Sequence, residues 1–394
     1  MKYHVSLIDS DIYKFTMQMA ICQLYPRVLN HYRFVNRDNR EFPDGFDKRL
    51  TEIIDSFRGV ALKKNEKDFM QEKCYYLNPV YLDFLSGYRY DPKEVIIKQE
   101  GPKLSLDIIG PAYRTVLWEV PLMATVSELY FDMTQKVYLN KDDLNQITQA
   151  NKKKAEDLAN IDVYYSEFGT RRRRSFENQN KVVEDLKKHG KGHLLGTSNV
   201  YLAMKHDLMP AGTVAHEWYS LHAAIYGFIM ANEKANDSWI RVFQGDLGTG
   251  LPDTFTTDVF LRSFNTKYAK LYDGLRQDSG DPLAFLEKVL AHYNKLKINP
   301  LYKMLLFSDN LKSISQINAI HNACKGRTND RYGIGTWLSN DCGVKPLNMV
   351  TKLIACNFNG SWVNTIKLSD DIEKHTGDSE TIELCKKTLM IKDK

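Results

Sequence analysis

Apolar positions in the first third of the chain follow two different periods. Ile12, Phe15, Met19 and Cys22 recur at helical spacing, which predicts a helix over 9–25 capped by Asp9 or Ser10. Tyr32 and Phe34 alternate with polar neighbours, as in a short strand, and charge-rich helices follow to about residue 90. Val95-Ile96-Ile97 and Leu104, Leu106, Ile108 read as two strands bent back through Gly101-Pro102. Leu117–Phe131 reads as an apolar helix with Pro121 in its first turn, where a missing N–H is tolerated.

From about residue 160 short apolar runs ending in Gly, Ser or Asp alternate with helical stretches. GHLLGTSN precedes VYLAMKH, LYDGLRQDSGDP precedes LAFLEKVLAHY, KMLLFSDN precedes ISQINAIHNA, and YGIGTW follows. Strand, polar loop, helix, repeated, predicts an α/β architecture. In (β/α) barrels the chemistry sits in loops at the carboxyl ends of strands, where this chain stores its Asp, Ser, Arg and Gly. Residues 361–371 read as a late strand and turn, and the lysine-rich end as frayed.

The 394 residues suffice for one large or two medium domains, and 43% apolar with 26% charged residues is ordinary for a soluble globular protein. A net charge of +5 suits a protein that handles anions but is too small to argue for nucleic acid. Six scattered cysteines without a C-x-x-C pair point to reduced thiols, hence to a cytoplasmic protein. The start lacks a signal-peptide apolar stretch, and the longest apolar run, near Ala223–Ala231, is too short for a membrane span.

Several segments could carry chemistry. EFGTRRRRSFENQ (Glu167–Gln179) is the most basic, and reads either as a solvated or nucleic-acid-binding patch or as an aromatic–arginine site for a flat anion. GTSN (Gly196–Asn199) and YGIGTW (Tyr332–Trp337) are turns whose N–H groups could cradle phosphate, or ordinary turns. RQDSGDP (Arg276–Pro282) holds more charge than a turn requires, although Asp281-Pro282 could simply start a helix. Asp309 in the Ser308–Asn310 loop could hold ribose hydroxyls or magnesium, or cap a helix. His216 and His222 are six apart, the wrong spacing for a zinc helix, so His216 is a structural histidine or a nucleophile or base.

In this order the segments resemble nicotinate phosphoribosyltransferases of the bacterial–fungal type. The resemblance rests on D-S-D-I-Y-K-F-T-M (Asp9–Met17), Y-R-F-V-N-R (Tyr32–Arg37), L-W-E-V-P-L (Leu117–Leu122), E-F-G-T-R-R-R (Glu167–Arg173), G-T-S-N, A-G-T-V-A-H-E-W (Ala211–Trp218), R-Q-D-S-G-D-P, the S-D-N loop, Y-G-I-G-T and I-K-L-S (Ile366–Ser369). It implies an irregular (β/α) barrel of the type II phosphoribosyltransferase kind over 126–344. A smaller α+β domain would be built from the two chain ends, 1–125 and about 345–394. The implied activity forms nicotinate mononucleotide and pyrophosphate from nicotinate and phosphoribosyl pyrophosphate, with Mg²⁺ and with ATP as co-substrate, in NAD biosynthesis. The implied assembly is a homodimer with shared sites, with neither nucleic acid nor membrane as partner.

The same resemblance implies the roles of individual residues. Tyr13, reaching across the dimer, and Phe168 would sandwich the pyridine ring. Arg276 would pair with the carboxylate, and Ser198 would favour the acid over the amide, since nicotinamide enzymes carry an aspartate in that turn. Arg171, Arg37 and Lys352 would reach the phosphates, and Gly333, Gly335 and Thr336 would receive the 5-phosphate. Asp278 and Asp309 would hold ribose hydroxyls or magnesium. His216 would be phosphorylated by ATP. Apart from the resemblance, whose pattern the G-D-L-G-T-G loop matches poorly, Asp246 in that loop is expected to orient His216, with His222 as the nearest candidate if His216 is structural. Two rival functions remain beside this one: a nicotinamide phosphoribosyltransferase, and a basic nucleic-acid-binding protein using Arg171–Arg174.

Overall fold

The computed structural model describes residues 3–134 and 141–391, and its strands fall where the sequence changes period. They are β1 (Leu29–Asn36), β2 (Val95–Glu100), β3 (Lys103–Pro111), β4 (Tyr165–Glu167), β5 (Leu194–Thr197) and β6 (Met209–Pro210). The later ones are β7 (Thr249–Gly250), β8 (Gly274–Gln277), β9 (Met304–Phe307), β10 (Asn329–Ile334), β11 (Met349–Phe358) and β12 (Ser361–Asn364). By contacts the chain forms two units. One comprises 1–19, 32–212 and 334–351; the other 20–31, 213–333 and 352–394. The chain enters each unit repeatedly, so these units are drawn at other places than 125/126 and 344/345.

In the first unit β2 and β3 pair antiparallel through a turn at Gly101, whose φ of 55° favours glycine. The parallel strands β4, β5 and β6 lie side by side. Gly196 lets β6 approach, since a Cβ there would stand 2.1 Å from the Met209 carbonyl oxygen. The apolar helix is Glu119–Thr134, with Pro121 in its first turn as expected and its first thirteen residues, Glu119 to Phe131, buried. The first helix is Ile12–Leu24, shorter than the sequence suggests, and it starts beyond Asp9 and Ser10. Asp9 is buried instead, where Arg173 takes both its oxygens at 2.7 and 3.0 Å.

In the second unit β7, β8, β9 and β10 are parallel in that order. Asp281 caps the helix Pro282–Lys295 that follows β8, the plainer of its two readings. After β9 the cap of helix Ile314–Cys324 is Ser313, which releases Ser308 and Asp309 from that duty. β12 is the expected late strand and pairs with β11, which the sequence reading missed. Ser379–Thr388 is helical, and the last residues of the expected frayed end, 392–394, lie outside the described residues. Among the described residues no helix is long and apolar enough to cross a membrane. Parallel strand–loop–helix units beside antiparallel hairpins give the α/β class that the patterning predicts.

Candidate active site

The first unit gathers the early helix, the arginine loop and the G-T-S-N turn around buried carboxylates. Asp9 also accepts from Asn199 Nδ2 at 2.8 Å, and Asn199 caps the helix Val200–Lys205. Ser198 Oγ donates to Asp11 Oδ1 at 2.8 Å, and the Ile12 N–H reaches the Ser198 carbonyl at 2.8 Å. Burial pushes the Asp11 carboxyl above its ordinary value. Glu167 receives Thr197 Oγ1, Gln179 Nε2 and the Gly169 N–H, and burial lifts its carboxyl to about 7. These bonds fix the backbone on both sides of Phe168, whose own N–H donates to the Ile334 carbonyl at 2.8 Å. Gly169 is required: a Cβ there would stand 1.9 Å from Ser339 Oγ.

Tyr13 and Arg171 meet at a residue the sequence reading passed over. Glu119 accepts from Lys14 Nζ at 2.5 Å, Arg171 Nη1 at 3.1 Å and the Tyr13 hydroxyl at 3.5 Å. It lies in L-W-E-V-P-L, a segment quoted only for its resemblance. The four-arginine run is no surface patch. Arg173 is fully buried, the Arg174 guanidinium lies 4.1 Å from the Phe131 ring centroid, and Arg172 Nε donates to the Met349 carbonyl. Two of the four arginines, Arg173 and Arg174, are thus buried rather than spread over a surface. Arg37 follows β1 and donates its N–H to the Asn348 carbonyl at 2.8 Å.

The second unit holds an arginine clamp and a histidine cluster that share one carboxylate. From β8, Arg276 gives Nε to Ser308 Oγ (2.8 Å), Nη1 to Thr213 Oγ1 (3.0 Å) and Nη2 to Asp278 Oδ1 (2.6 Å). A guanidinium has five N–H donors, so these bonds orient the fork and leave donors for a planar anion. The other Asp278 oxygen stands 2.9 Å from His216 Nε2, at the start of helix His216–Tyr226. Thr254 Oγ1 stands 3.0 Å from Nδ1, and Asp253 Oδ1 is 3.8 Å from Nε2. Lys367 brings its ammonium to 2.8 Å from Nε2 and 3.4 Å from Asp253 Oδ2.

These neighbours set the protonation states. Burial, helped by Lys367, pushes the His216 imidazole down to about 4, so the ring is neutral at physiological pH. Burial alone would raise Asp278, but Arg276, His216 and Lys367 hold its carboxyl well below the usual range. The carboxylates at His216 are therefore Asp278 and Asp253, a correction to the assignment of Asp246. Asp246 lies in the turn after helix Phe228–Phe243, where its N–H bonds to the Phe243 carbonyl. His222 is also corrected. It is fully buried, with Nδ1 2.7 Å from the Trp218 carbonyl and Nε2 2.8 Å from the Tyr25 hydroxyl, so it serves packing.

His216, Asp253 and Asp278 offer donor atoms within 4.8 Å of one another, spacing that could hold a cation. The Lys367 ammonium already supplies that positive charge, so the triad does not fit a resident metal. Asp309, at the end of β9, accepts from Lys374 Nζ at 2.6 Å. Gly333 ends within β10, and Gly335 and Thr336 begin the single turn Thr336–Ser339, whose first N–H groups lack helical acceptors. Lys352 lies in β11.

Comparison with known proteins places the chain in a family. The N-terminal domain model of the nicotinate phosphoribosyltransferase (NAPRTase) family matches residues 8–127, and the NAPRTase family model matches 163–393. A nicotinate phosphoribosyltransferase of Desulforapulum autotrophicum is 48% identical over 386 residues, covering 98% of each chain. Another, of Chromohalobacter salexigens, is 45% identical with the same coverage. The crystal structure of nicotinate phosphoribosyltransferase from Porphyromonas gingivalis matches with a TM-score of 0.94 at 41% identity, over 98% of this chain and 99% of that one. The Vibrio cholerae structure matches with 0.92 at 29% identity, over 100% and 95%. The fold is thus the irregular α/β barrel with a smaller α+β part that the resemblance implies, and the chain belongs to the nicotinate phosphoribosyltransferase family.

Proposed function

We propose that the protein transfers the phosphoribosyl group of phosphoribosyl pyrophosphate to the ring nitrogen of nicotinate, releasing pyrophosphate, in cytoplasmic NAD biosynthesis. The reading includes coupling to ATP hydrolysis through a phosphohistidine at His216. The observation that supports it most is the Arg276 clamp, with donors left for a carboxylate, on the same Asp278 that touches a neutral histidine. Arg276 grips the nicotinate carboxylate, and Tyr13 and Phe168 stack the ring, which lowers the entropic part of the barrier. The ring nitrogen attacks C1 of the ribose as pyrophosphate departs, through a transition state with oxocarbenium character. Arg171, Arg37 and Lys352 stabilise the charge growing on the leaving group, and the N–H groups of Gly333, Gly335 and Thr336 hold the 5-phosphate. Magnesium bound with the diphosphate would neutralise part of its charge. Asp309, a hard oxygen donor, would hold that ion only once Lys374 released its carboxylate.

A neutral imidazole is a competent nucleophile, so His216 can take the γ-phosphoryl group of ATP. Incubation with γ-labelled ATP tests this step. Wild type is expected to carry an acid-labile label, and His216→Asn none, while that variant keeps a slow ATP-independent transfer. A labelled His216→Asn protein would refute the phosphohistidine, and His222 could not replace it because both its nitrogens are engaged in the core. A homodimer with shared sites belongs to the same reading, and light scattering checks it.

A further inference from the structure

The Glu167 carboxylate closes a ring of hydrogen bonds through the segment before the first helix, the arginine loop and the G-T-S-N turn. Gln179 Nε2, from the helix Phe176–His189, donates to its two oxygens at 3.2 and 3.1 Å. Gln179 Oε1 accepts from Arg173 Nη1 at 3.4 Å, and Arg173 holds Asp9. Asp9 accepts from Asn199 Nδ2, and the Asn199 N–H donates to Thr197 Oγ1 at 3.2 Å. Thr197 Oγ1 completes the ring by donating to Glu167 Oε2 at 2.6 Å. Every side chain in the ring is fully buried.

A carboxylate taken out of water against neutral donors is costly, and an amide of the same shape would spare the charge. Glu167 nonetheless receives a hydroxyl, an amide and the Gly169 N–H, three donors shared over two oxygens. A carboxylate accepts on both oxygens, whereas a glutamine in its place would turn an NH₂ toward the Gln179 NH₂, donor against donor. What the charge fastens is specific. Phe168 lies between Glu167 and the Gly169 N–H that the carboxylate receives at 2.6 Å. Ser198 follows Thr197, and its N–H donates to the Glu167 carbonyl at 2.8 Å. Side chain and backbone of one residue thus tie together the two turns that carry Phe168 and Ser198.

We infer that Glu167 is a positioning residue for the pyridine site: it holds the ring-stacking Phe168 at a fixed spacing from Ser198, which favours the acid over the amide. The inference rests on the reading that those two residues meet nicotinate. Gln179 belongs to the same device, because it carries the hold of Glu167 on to Thr170 and Arg173.

Steady-state kinetics and nicotinate titration calorimetry on the full-length protein test it, with Phe168→Ala beside Glu167→Gln. Glu167→Gln is expected to raise the KM and Kd for nicotinate on the order of tenfold, the worth of a buried hydrogen bond left unmade. The KM for phosphoribosyl pyrophosphate and kcat are expected to stay nearly unchanged, and the preference for nicotinate over nicotinamide to narrow. A merely structural role would lower the unfolding midpoint and the active fraction, hence kcat, and leave both KM values alone. The exchanged pair Glu167→Gln with Gln179→Glu keeps one carboxylate opposite one amide and is expected to recover nicotinate binding in part. If Glu167→Gln does not fold, Thr197→Val, which removes one donor to the carboxylate, is expected to raise the nicotinate KM in the same selective way. An unchanged nicotinate KM in these variants while Phe168→Ala raises it, or an equal rise in both KM values, overturns the inference. Unchanged nicotinate affinity in Phe168→Ala refutes the stacking reading itself, and the inference falls with it.

Discussion

In the proposed reading single residues carry the selectivity of the site, and their substitutions are expected to separate its functions. Arg276→Ala removes the fork and is expected to weaken nicotinate ten- to a hundredfold, about 1.5–3 kcal/mol, with a much smaller effect on phosphoribosyl pyrophosphate. Titration calorimetry with each substrate checks it, and unchanged nicotinate affinity would take Arg276 out of that role. Ser198 is buried and donates to Asp11, so Ser198→Asp would set two carboxylates against each other and against a bound nicotinate. Nicotinate turnover is expected to fall and some nicotinamide to be accepted; full nicotinate activity in the variant would place Ser198 away from the substrate carboxylate. His216 has its pKa pushed down to about 4 by burial and Lys367, so its neutral, nucleophilic form persists well below the usual histidine range. Labelling from ATP is expected to hold to about pH 5 and to fall as pH drops through the folded value. A fall centred near 6.5 would mean that the ring is solvated.

At the scale of elements, the loops are held by buried ion pairs rather than by their own turns. Arg173 and Asp9 are both fully buried and join the arginine loop to the start of the first helix. Burial alone would raise the Asp9 carboxyl, but Arg173 and His4 outweigh it and hold it far below the ordinary value. Its contribution to stability is therefore present above about pH 4, the unfolded value, and is lost as pH falls below that. Arg173→Met leaves the buried Asp9 without its guanidinium partner and is expected to cost about 3–5 kcal/mol, while adding Asp9→Leu should recover part of the loss. Denaturant midpoints decide it: equal midpoints for Arg173→Met and wild type would deny the pair its role. Elements with a clean period were legible in the sequence, among them β2, β3, the apolar helix and the strand–loop–helix units after residue 160. β11 was not, because its buried positions fall on both faces and its sequence shows no strict alternation. The first helix begins later than its pattern suggests because Asp9, which looks like a cap, pairs with Arg173 in space.

At the scale of the whole molecule, motif order identified the family, while the contacts that tune the site came only from the fold. Asp253 sits in a plain L-P-D-T-F stretch, and Lys367 lies 151 residues from the histidine it touches. No local spacing announces such partners, and the nearer Asp246 was chosen in their place. Glu119 was likewise visible only as part of a motif, its link to Tyr13, Lys14 and Arg171 being a tertiary fact. The central claim is that these separated residues serve transfer of phosphoribose to an acid, not to its amide. Its most direct test is pyrophosphate release by the purified protein with phosphoribosyl pyrophosphate, Mg²⁺ and ATP, with nicotinate or nicotinamide as acceptor. The account predicts nicotinate mononucleotide in step with pyrophosphate from nicotinate, and a rate lower by at least about tenfold with nicotinamide, from the charge-assisted bond that the amide cannot make to Arg276. Equal rates with both acceptors, or no nicotinate-dependent release, would contradict it.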